Sequence, residues 1–346
     1  MRGRFSLWMW ILALLVALMA PSALAAKGGN KGGNDGGGDS GGEDPPAANP
    51  ALLWTDTAGR SGSTWEVRVA DADGLNASTL LAATGDGLAA DPSWSPNGSY
   101  FVYRGDDAYG DPALHVASAD GASTTQIHAG QAYDPKWSPA TTADGTARIV
   151  FAASTSAGPW DLFAVTPSGT GLVNLTSTPN RHETYPTWSP DGLSVAARYA
   201  DYDAGGTLTQ RGIVVYAITT VSGVLTATVD LEITDATSEL TDIAFLDWSR
   251  TGDKIACSAV GGTYADRDIW VIDLFAPGSP TNVTASSGVL EKWPTWSPDD
   301  TEIAYTRYGG NKKDKGIFVM AASGSGSATA VIKGGGEHYR RPDWLR

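Results

Sequence analysis

The sequence predicts an all-β fold, a six-bladed β-propeller with four-stranded antiparallel blades, and three observations predict it. A motif whose fullest form is Pro-x-Trp-Ser-Pro-Asp-Gly recurs along the chain. Apolar runs typical of strands fill the intervals between its copies, and three such runs precede the first copy. The tryptophans of the six copies follow one another at intervals of 43 to 60 residues and are Trp94, Trp137, Trp188, Trp248, Trp296 and Trp344. Repeats of this length with strands inside them indicate a propeller.

Each copy of the motif predicts an inner strand and a tight turn. The proline is expected to hold the residue before it in β or polyproline geometry. The tryptophan supplies a large apolar body, which we expect to fill the space between neighbouring blades. The Ser-Pro-Asp-Gly segment has the residues of a type I turn, so the chain should reverse there into a second strand.

The other strands of each blade follow from shorter apolar runs. After the third motif, residues 195–199 and 212–217 predict a second and a third strand, and runs such as 172–176 predict a short fourth strand. Trp344 lies two residues from the last residue, so its blade would take three strands from residues 52–55, 65–70 and 78–82. Pairing of these segments with the last strand would close the ring and remove both sheet edges.

The chain divides into three segments by composition. Residues 1–25 predict a secretory signal peptide, with Arg2 and Arg4, an apolar stretch over 7–20, and Ala23-Leu-Ala25 as the cleavage site. Residues 26–50 are rich in Gly, Asn and Asp and predict a disordered linker. Residues 51–346 are predicted to form the propeller. We therefore expect a periplasmic or secreted monomer that does not insert into a membrane once the signal is removed.

Composition narrows the classes of function. The formal net charge is −14, with 38 acidic against 24 basic residues and no basic stripe, which argues against nucleic acid as a partner. The single cysteine, Cys257, is expected to be a core residue. Residues 51–346 contain no Gly-x-Ser-x-Gly elbow, no zinc-ligand spacing and no phosphate-binding loop, which favours a binding module over an enzyme. No cofactor is expected, although a divalent cation in the channel stays an alternative.

The repeats resemble those of the TolB propeller family, whose namesake is the periplasmic component of the Tol-Pal system. The resemblance lies in the Trp-Ser-Pro-Asp-Gly turns and in third strands of the type Ile-Trp-Val-Ile-Asp (269–273) and Ile-Phe-Val-Met (317–320), and it spans residues 51–346. It implies an envelope or extracellular protein as the partner. TolB carries an α/β domain ahead of its propeller, where this chain has the Gly-rich segment. Similar propellers belong to peptidases and to oligogalacturonate lyases, so the resemblance does not fix an activity.

The candidate site is the channel mouth, the face on which the links between blades and the loops between second and third strands open. Acidic residues arrive there from most blades, which predicts a mouth that attracts a basic segment or a cation. Solvated loop residues, or side chains that hydrogen-bond backbone amides, are the alternative interpretation. The residues predicted to bind a partner are Asp91, Asp134, Arg181, His182, Glu183, Asp242, Glu291, Glu337, His338 and Arg340.

Two alternative functions stay open at the level of sequence. His182 with Glu183 and His338 with Glu337 are pairs that would serve a metal-dependent lyase or hydrolase acting on a polysaccharide, if the two blades bring them together. The chain has only four histidines, so a non-enzymatic binding module is the preferred hypothesis. A structural propeller displayed on the cell surface is the third possibility.

Overall fold

The computed structural model describes residues 52–58, 64–82, 89–154, 158–262, 264–309, 315–333 and 340–345. These residues form six separate four-stranded antiparallel sheets and one short helix, α1 (Asp235–Ser238). The predicted six-bladed propeller is thereby confirmed. The predicted signal peptide and linker lie outside the described residues. In the part of the chain that is described, no helix is long and apolar enough to cross a membrane.

The strands are given blade by blade, from the inner strand that carries the repeated tryptophan to the outer strand. Blade 1 combines the two ends of the described chain and consists of β24 (Arg340–Trp344), β1 (Leu52–Ala58), β2 (Thr64–Ala70) and β3 (Ser78–Leu81). Blade 2 consists of β4 (Ala89–Trp94), β5 (Tyr100–Asp106), β6 (Pro112–Ser118) and β7 (Thr124–Ala129). Blade 3 consists of β8 (Ala132–Trp137), β9 (Ile149–Ala153), β10 (Asp161–Val165) and β11 (Val173–Asn174).

The second half of the chain repeats this order. Blade 4 consists of β12 (Arg181–Trp188), β13 (Ser194–Tyr202), β14 (Leu208–Val221) and β15 (Val224–Thr234). Blade 5 consists of β16 (Thr241–Trp248), β17 (Lys254–Gly261), β18 (Tyr264–Asp273) and β19 (Thr281–Asn282). Blade 6 consists of β20 (Val289–Trp296), β21 (Glu302–Gly309), β22 (Gly316–Ala321) and β23 (Thr329–Lys333). Each inner strand contacts the next, from β4 round to β24 and back, so the inner strands surround a central channel.

The ring closes as predicted, by pairing of the last strand with the first. In the antiparallel ladder between β24 and β1, Trp344 lies opposite Leu52 and Asp343 lies opposite Leu53. Strand β1 in turn pairs along its whole length with β2. The first and last described strands therefore share one sheet, in which β24 covers the inner edge of β1.

The repeated tryptophans lie between blades, as expected. All six are at most 9% exposed. Trp188 shows the pattern, since it belongs to a buried cluster with Val150 and Leu162 of blade 3 and with Val195 and Val214 of blade 4. Neighbouring blades therefore share their hydrophobic cores through these rings, which is how a fold of small sheets gains stability.

The turns after the tryptophans of blades 2, 4, 5 and 6 have the predicted hydrogen bond to the serine carbonyl. In blade 4 the Gly192 N–H donates to the Ser189 carbonyl over 3.0 Å. The Ser189 hydroxyl donates to Asp191 over 2.6 Å, and Asp191 also accepts the Leu193 N–H over 3.0 Å. Gly192 has φ +72°, and a Cβ there would lie 2.9 Å from the Thr141 carbonyl oxygen, so this position requires glycine.

The prediction that the residue before each motif proline is extended is wrong. Each inner strand has a β-bulge at this place, where the register with its neighbour shifts. The residue on the bulge, directly before the proline or before Leu246 in blade 5, has a φ between +52° and +58° instead of an extended conformation. The six bulge residues are Asp91, Asp134, Tyr185, Phe245, Trp293 and Arg341. A bulge re-aims the side chain that it carries, and all six line one cavity in the channel.

Candidate binding site at the channel mouth

The six bulge residues form a ring, called here the bulge ring, whose two halves differ in chemistry. Blades 4, 5 and 6 contribute Tyr185, Phe245 and Trp293, with successive ring centroids 4.6 and 4.8 Å apart. Blades 1, 2 and 3 contribute charged residues instead. The cavity volume is about 40 Å³. This space accepts a few water molecules or the tip of one side chain, and it is far too small for a ligand of drug size.

The charged half of the bulge ring is an internally paired cluster. The Arg341 guanidinium contacts Asp91 over 3.0 Å and forms a second ion pair with Asp134. Arg104 adds another ion pair to Asp91, also over 3.0 Å. Burial raises the pKa of Asp134, and the adjacent Arg341 opposes that rise. Two of the predicted site acids therefore meet in the channel, but two arginines already compensate their charge.

Beyond this ring, a lysine joins three blades across the channel. The Lys136 ammonium group lies 2.5 Å from Asp343 of blade 1 and 3.8 Å from Asp247 of blade 5. The same two carboxylates accept the backbone N–H groups of Trp94 and Trp296, each over 2.9 Å. Lys136 is therefore held from several sides, and it occupies the channel next to the bulge ring.

Glu183 lies between blades 3 and 4 and does not face the channel. Its side chain is fully buried and accepts hydrogen bonds from the Tyr216 hydroxyl over 2.6 Å and from the Thr176 and Thr178 hydroxyls over 3.0 Å each. Burial raises the pKa of Glu183 from 4.5 to about 7, although these hydroxyls favour the charged form. The carboxylate thus joins the two blades.

Replacing Glu183 by glutamine is expected to remove a pH dependence of stability. The pKa of Glu183 is higher in the folded state, so the folded state binds the proton more tightly. The free energy of unfolding of the wild type should therefore be highest below pH 4.5 with respect to this group and fall as the pH rises to about 7. The loss is about 3 kcal/mol, because each pKa unit corresponds to about 1.4 kcal/mol.

Urea denaturation across that pH window measures the effect. Glu183→Gln should lack the loss and be the more stable protein at the upper end of the window. Glu302→Gln changes an exposed side chain and is the matched control, which should follow the wild type. Equal pH slopes for Glu183→Gln and the wild type would contradict the assignment.

Glu291 occupies the same place between blades 5 and 6. It is fully buried and accepts a hydrogen bond from Arg307 over 2.7 Å, and burial raises its pKa. Glu183 and Glu291 stand equally far before their tryptophans, so the two positions are equivalent in the repeat. Both predicted site acids are placed in the junctions between blades, away from the bulge ring.

Arg181 and His182 lie at the mouth end of blade 4. Arg181 forms ion pairs with Asp201 over 2.6 Å and with Glu232 over 2.7 Å, so its side chain reaches toward the outer strand β15. The His182 ring accepts the Trp160 N–H over 3.4 Å, and burial lowers the pKa of His182. His182 is therefore neutral at pH 7, and its neighbour Glu183 is engaged by other groups.

The remaining predicted residues are placed as follows. Asp242 is exposed and forms an ion pair with Arg267, whose guanidinium also donates to the Asp242 carbonyl over 2.7 Å. Arg340 begins β24, whereas Glu337 and His338 lie outside the described residues. No group of three His, Cys, Asp or Glu side chains that would hold a metal ion is found within the described residues. The binding role of the predicted residues stays a prediction.

Sequence reasoning missed several residues of the site. Tyr185, Phe245, Trp293 and Arg341 all stand three residues before a repeated tryptophan, and an alignment of the six motifs would have shown this variable position. Arg198, which lowers the pKa of His182, interrupts the apolar run Val-Ala-Ala-Arg-Tyr of residues 195–199. A charged residue within such a run is the signal that could have identified it.

Comparisons with known proteins identify similar structures but no sequence family. No protein-family model matches the chain. A search of the curated proteins also gives no match. TolB from Acinetobacter baumannii has a similar structure, with a TM-score of 0.62 and 17% identity over 87% of this chain and 68% of that one.

Two further structures extend the comparison. The putative TolB from Agrobacterium tumefaciens has a TM-score of 0.56 and 17% identity over 82% of this chain and 88% of that one. A chain of a nidogen/laminin complex has a TM-score of 0.55 and 12% identity over 86% of this chain and 98% of that one. At these identities the likeness concerns the fold.

Proposed function

From the TolB-like propeller fold of this chain, we propose that it is an extracytoplasmic protein-binding module that receives a segment of its partner at the channel mouth. The predicted signal peptide supports the location. The observation that carries the proposal is the aromatic half of the bulge ring. Tyr185, Phe245 and Trp293 are only partly buried and lie side by side at the centre of one face.

More aromatic residues extend this surface across the mouth. Tyr133 packs edge-on against Trp160 with 5.0 Å between ring centroids, and Tyr308 lies 6.1 Å from Trp293. Tyr109, in the loop between β5 and β6, is 90% exposed. Aromatic side chains are enriched in protein interfaces, where they supply large contact areas at a small cost in conformational entropy. The mouth therefore has the composition of a protein-binding surface.

The shape of the channel restricts how a partner binds. The cavity of about 40 Å³ holds no more than the tip of a side chain, and Lys136 occupies the channel beside it. A partner would therefore lie across the mouth and insert one side chain against the aromatic half of the bulge ring. A chain of similar fold comes from a nidogen/laminin complex, so the fold is compatible with this role. No observation on the described residues favours the metal-dependent lyase or hydrolase.

A pair of phenylalanines in blade 5 provides the test. Phe245 belongs to the bulge ring, whereas Phe275 lies in the turn between β18 and β19 on the opposite face and is 87% exposed. The immobilised protein would be incubated with an extract of the cell envelope and of the culture medium, next to Phe245→Ser and Phe275→Ser. We expect a partner that the wild type and Phe275→Ser retain and that Phe245→Ser loses, with a dissociation constant at least about tenfold weaker for the purified pair.

The same experiment has outcomes that contradict the proposal. A partner retained equally by all three proteins would place binding elsewhere on the propeller. Retention of no protein by the wild type would argue against a binding module. Circular dichroism and thermal unfolding of both variants would establish that they are folded before their binding is compared.

A further inference from the structure

The junction of blades 4 and 5 at the channel mouth contains an arginine that no described residue neutralises. Arg198 lies in β13 opposite Thr184, directly before the bulge of β12. Side chains alternate along a strand, and Ala196, two residues earlier, packs in the cluster shared with Leu240 and Ile243 of blade 5. Arg198 therefore also faces blade 5, two residues nearer to the mouth than Ala196.

Five other arginines around the mouth have acidic partners, whereas Arg198 has none among the described residues. Arg104, Arg181, Arg267, Arg307 and Arg341 each form an ion pair. The half-buried Arg198 donates no hydrogen bond and forms no ion pair with any described residue. Partial burial of a guanidinium group costs free energy unless its donors are satisfied. This arginine is therefore available to bind an acceptor group of another molecule.

A second unused donor lies beside this arginine. The Tyr185 side chain packs on the cluster shared with blade 5 and on Phe245, and its hydroxyl makes no hydrogen bond with the described residues. Burial and Asp134 raise the pKa of Tyr185, whereas Arg341, Arg198 and Arg267 oppose the rise. These charged groups therefore surround the phenol.

The acidic side chains near this junction are engaged by groups other than Arg198. Asp134 is paired with Arg341, and Asp242 is paired with Arg267. Near His182, Asp161 accepts hydrogen bonds from Asn174 over 2.8 Å and from the Thr178 N–H over 3.0 Å. Arg198 also lowers the pKa of His182, which keeps that ring neutral. Asp161 keeps its charge but is engaged by these donors, so the guanidinium group of Arg198 has no acidic partner among the described residues.

We propose that Arg198 and the Tyr185 hydroxyl form a carboxylate-binding site, and that the partner segment presents an acidic residue or a chain-terminal carboxylate next to an apolar side chain. A guanidinium group binds a carboxylate through two parallel hydrogen bonds, and a phenol hydroxyl can donate a third. Phe245, which touches Tyr185, offers an apolar surface for the neighbouring side chain of the partner. This inference rests on the proposed function. It assigns a positive charge to the binding site, whereas the sequence predicts an acidic mouth.

Short capped peptides test the chemistry directly. The probes are acetyl-Gly-Trp-Glu-Gly-amide, the same peptide with Gln in place of Glu, and acetyl-Gly-Trp-Gly with a free carboxylate, and isothermal titration measures their binding to the wild-type protein. We expect at least one of the two carboxylate peptides to bind about tenfold more tightly than the Gln peptide, which corresponds to about 1.4 kcal/mol. The Glu peptide and the free-carboxylate peptide separate a side-chain source from a chain end. Equal binding of all three peptides, or no binding of any, would overturn the proposal, as would tighter binding of inorganic phosphate.

Variants assign the effect to Arg198. Arg198→Gln should abolish the preference for carboxylate, and Arg198→Lys should keep part of it, because lysine retains the charge but not the bidentate geometry. Arg211→Gln is the matched control, since Arg211 lies in the same blade and is paired with Asp235. A preference that Arg198→Gln leaves unchanged would contradict the assignment.

Capture of the natural partner separates this inference from the proposed function. If Phe245→Ser loses the partner and Arg198→Gln keeps it, the mouth binds protein but the carboxylate site is wrong. If both variants keep the partner, the proposed function itself fails. Loss of the partner by both variants, with weaker capture at high salt, is the expected result.

Discussion

Replacing Arg341 by methionine is expected to lower the free energy of unfolding by about 3–5 kcal/mol, which is the cost of removing one partner from a buried ion pair. Asp91 and Asp134 are 6% and 7% exposed, and Arg341 bridges them. Without it, two carboxylates would face each other in the channel with only Arg104 beside one of them. Urea denaturation at neutral pH measures the loss.

If the lost stability of Arg341→Met comes from uncompensated charge, two further results are expected. Burial already raises the pKa of Asp134, and loss of the arginine should raise it more, so the stability deficit of Arg341→Met should shrink as the pH falls. The double variant Arg341→Met with Asp134→Asn leaves Asp91 paired with Arg104 and should recover most of the stability. A single variant close to the wild type, or a deficit that does not change with pH, would contradict this account.

Replacing Trp188 by alanine is expected to cost about 3–5 kcal/mol, because the vacated space cannot collapse between two rigid sheets. The side chain is 1% exposed, and its indole N–H donates to the Lys136 carbonyl over 3.3 Å. Thermal and urea unfolding would measure the loss. Phe275→Ala is the control, since an exposed aromatic side chain should contribute within about 0.5 kcal/mol. Similar losses for the two variants would mean that Trp188 does not join blades 3 and 4.

The fold could be predicted because its determinants recur and are local. The turn around Asp191 and Gly192 needs only its own few residues, and the period of Trp188 and its counterparts gives the blades. The composition of blade 1 from both ends of the described chain follows from the position of Trp344 relative to the strands before the first motif. These signals do not depend on the loops, which is why the structure confirms the predicted blades.

The directions of the site residues could not be predicted in the same way. Glu183 and Glu291 were assigned to the mouth because they stand in links between blades, but both point into the junctions. The bulge that follows them breaks the simple alternation of side chains along the inner strand, and the sequence does not show where a bulge begins. The pairing of Arg341 with Asp91 and Asp134 was equally hidden, because it joins residues that are distant in the sequence.

The placement of β24 has a consequence for the order of events during biosynthesis. Every other strand of the propeller is synthesised before it, yet β24 supplies the inner strand of blade 1, the guanidinium group of Arg341 and the carboxylate that holds Lys136. Without this strand the other strands can form only an open row of sheets, with β1 exposed as an unpaired edge. The ring therefore cannot close before residues 340–344 are available to pair, and until then the edge of β1 can pair with another chain.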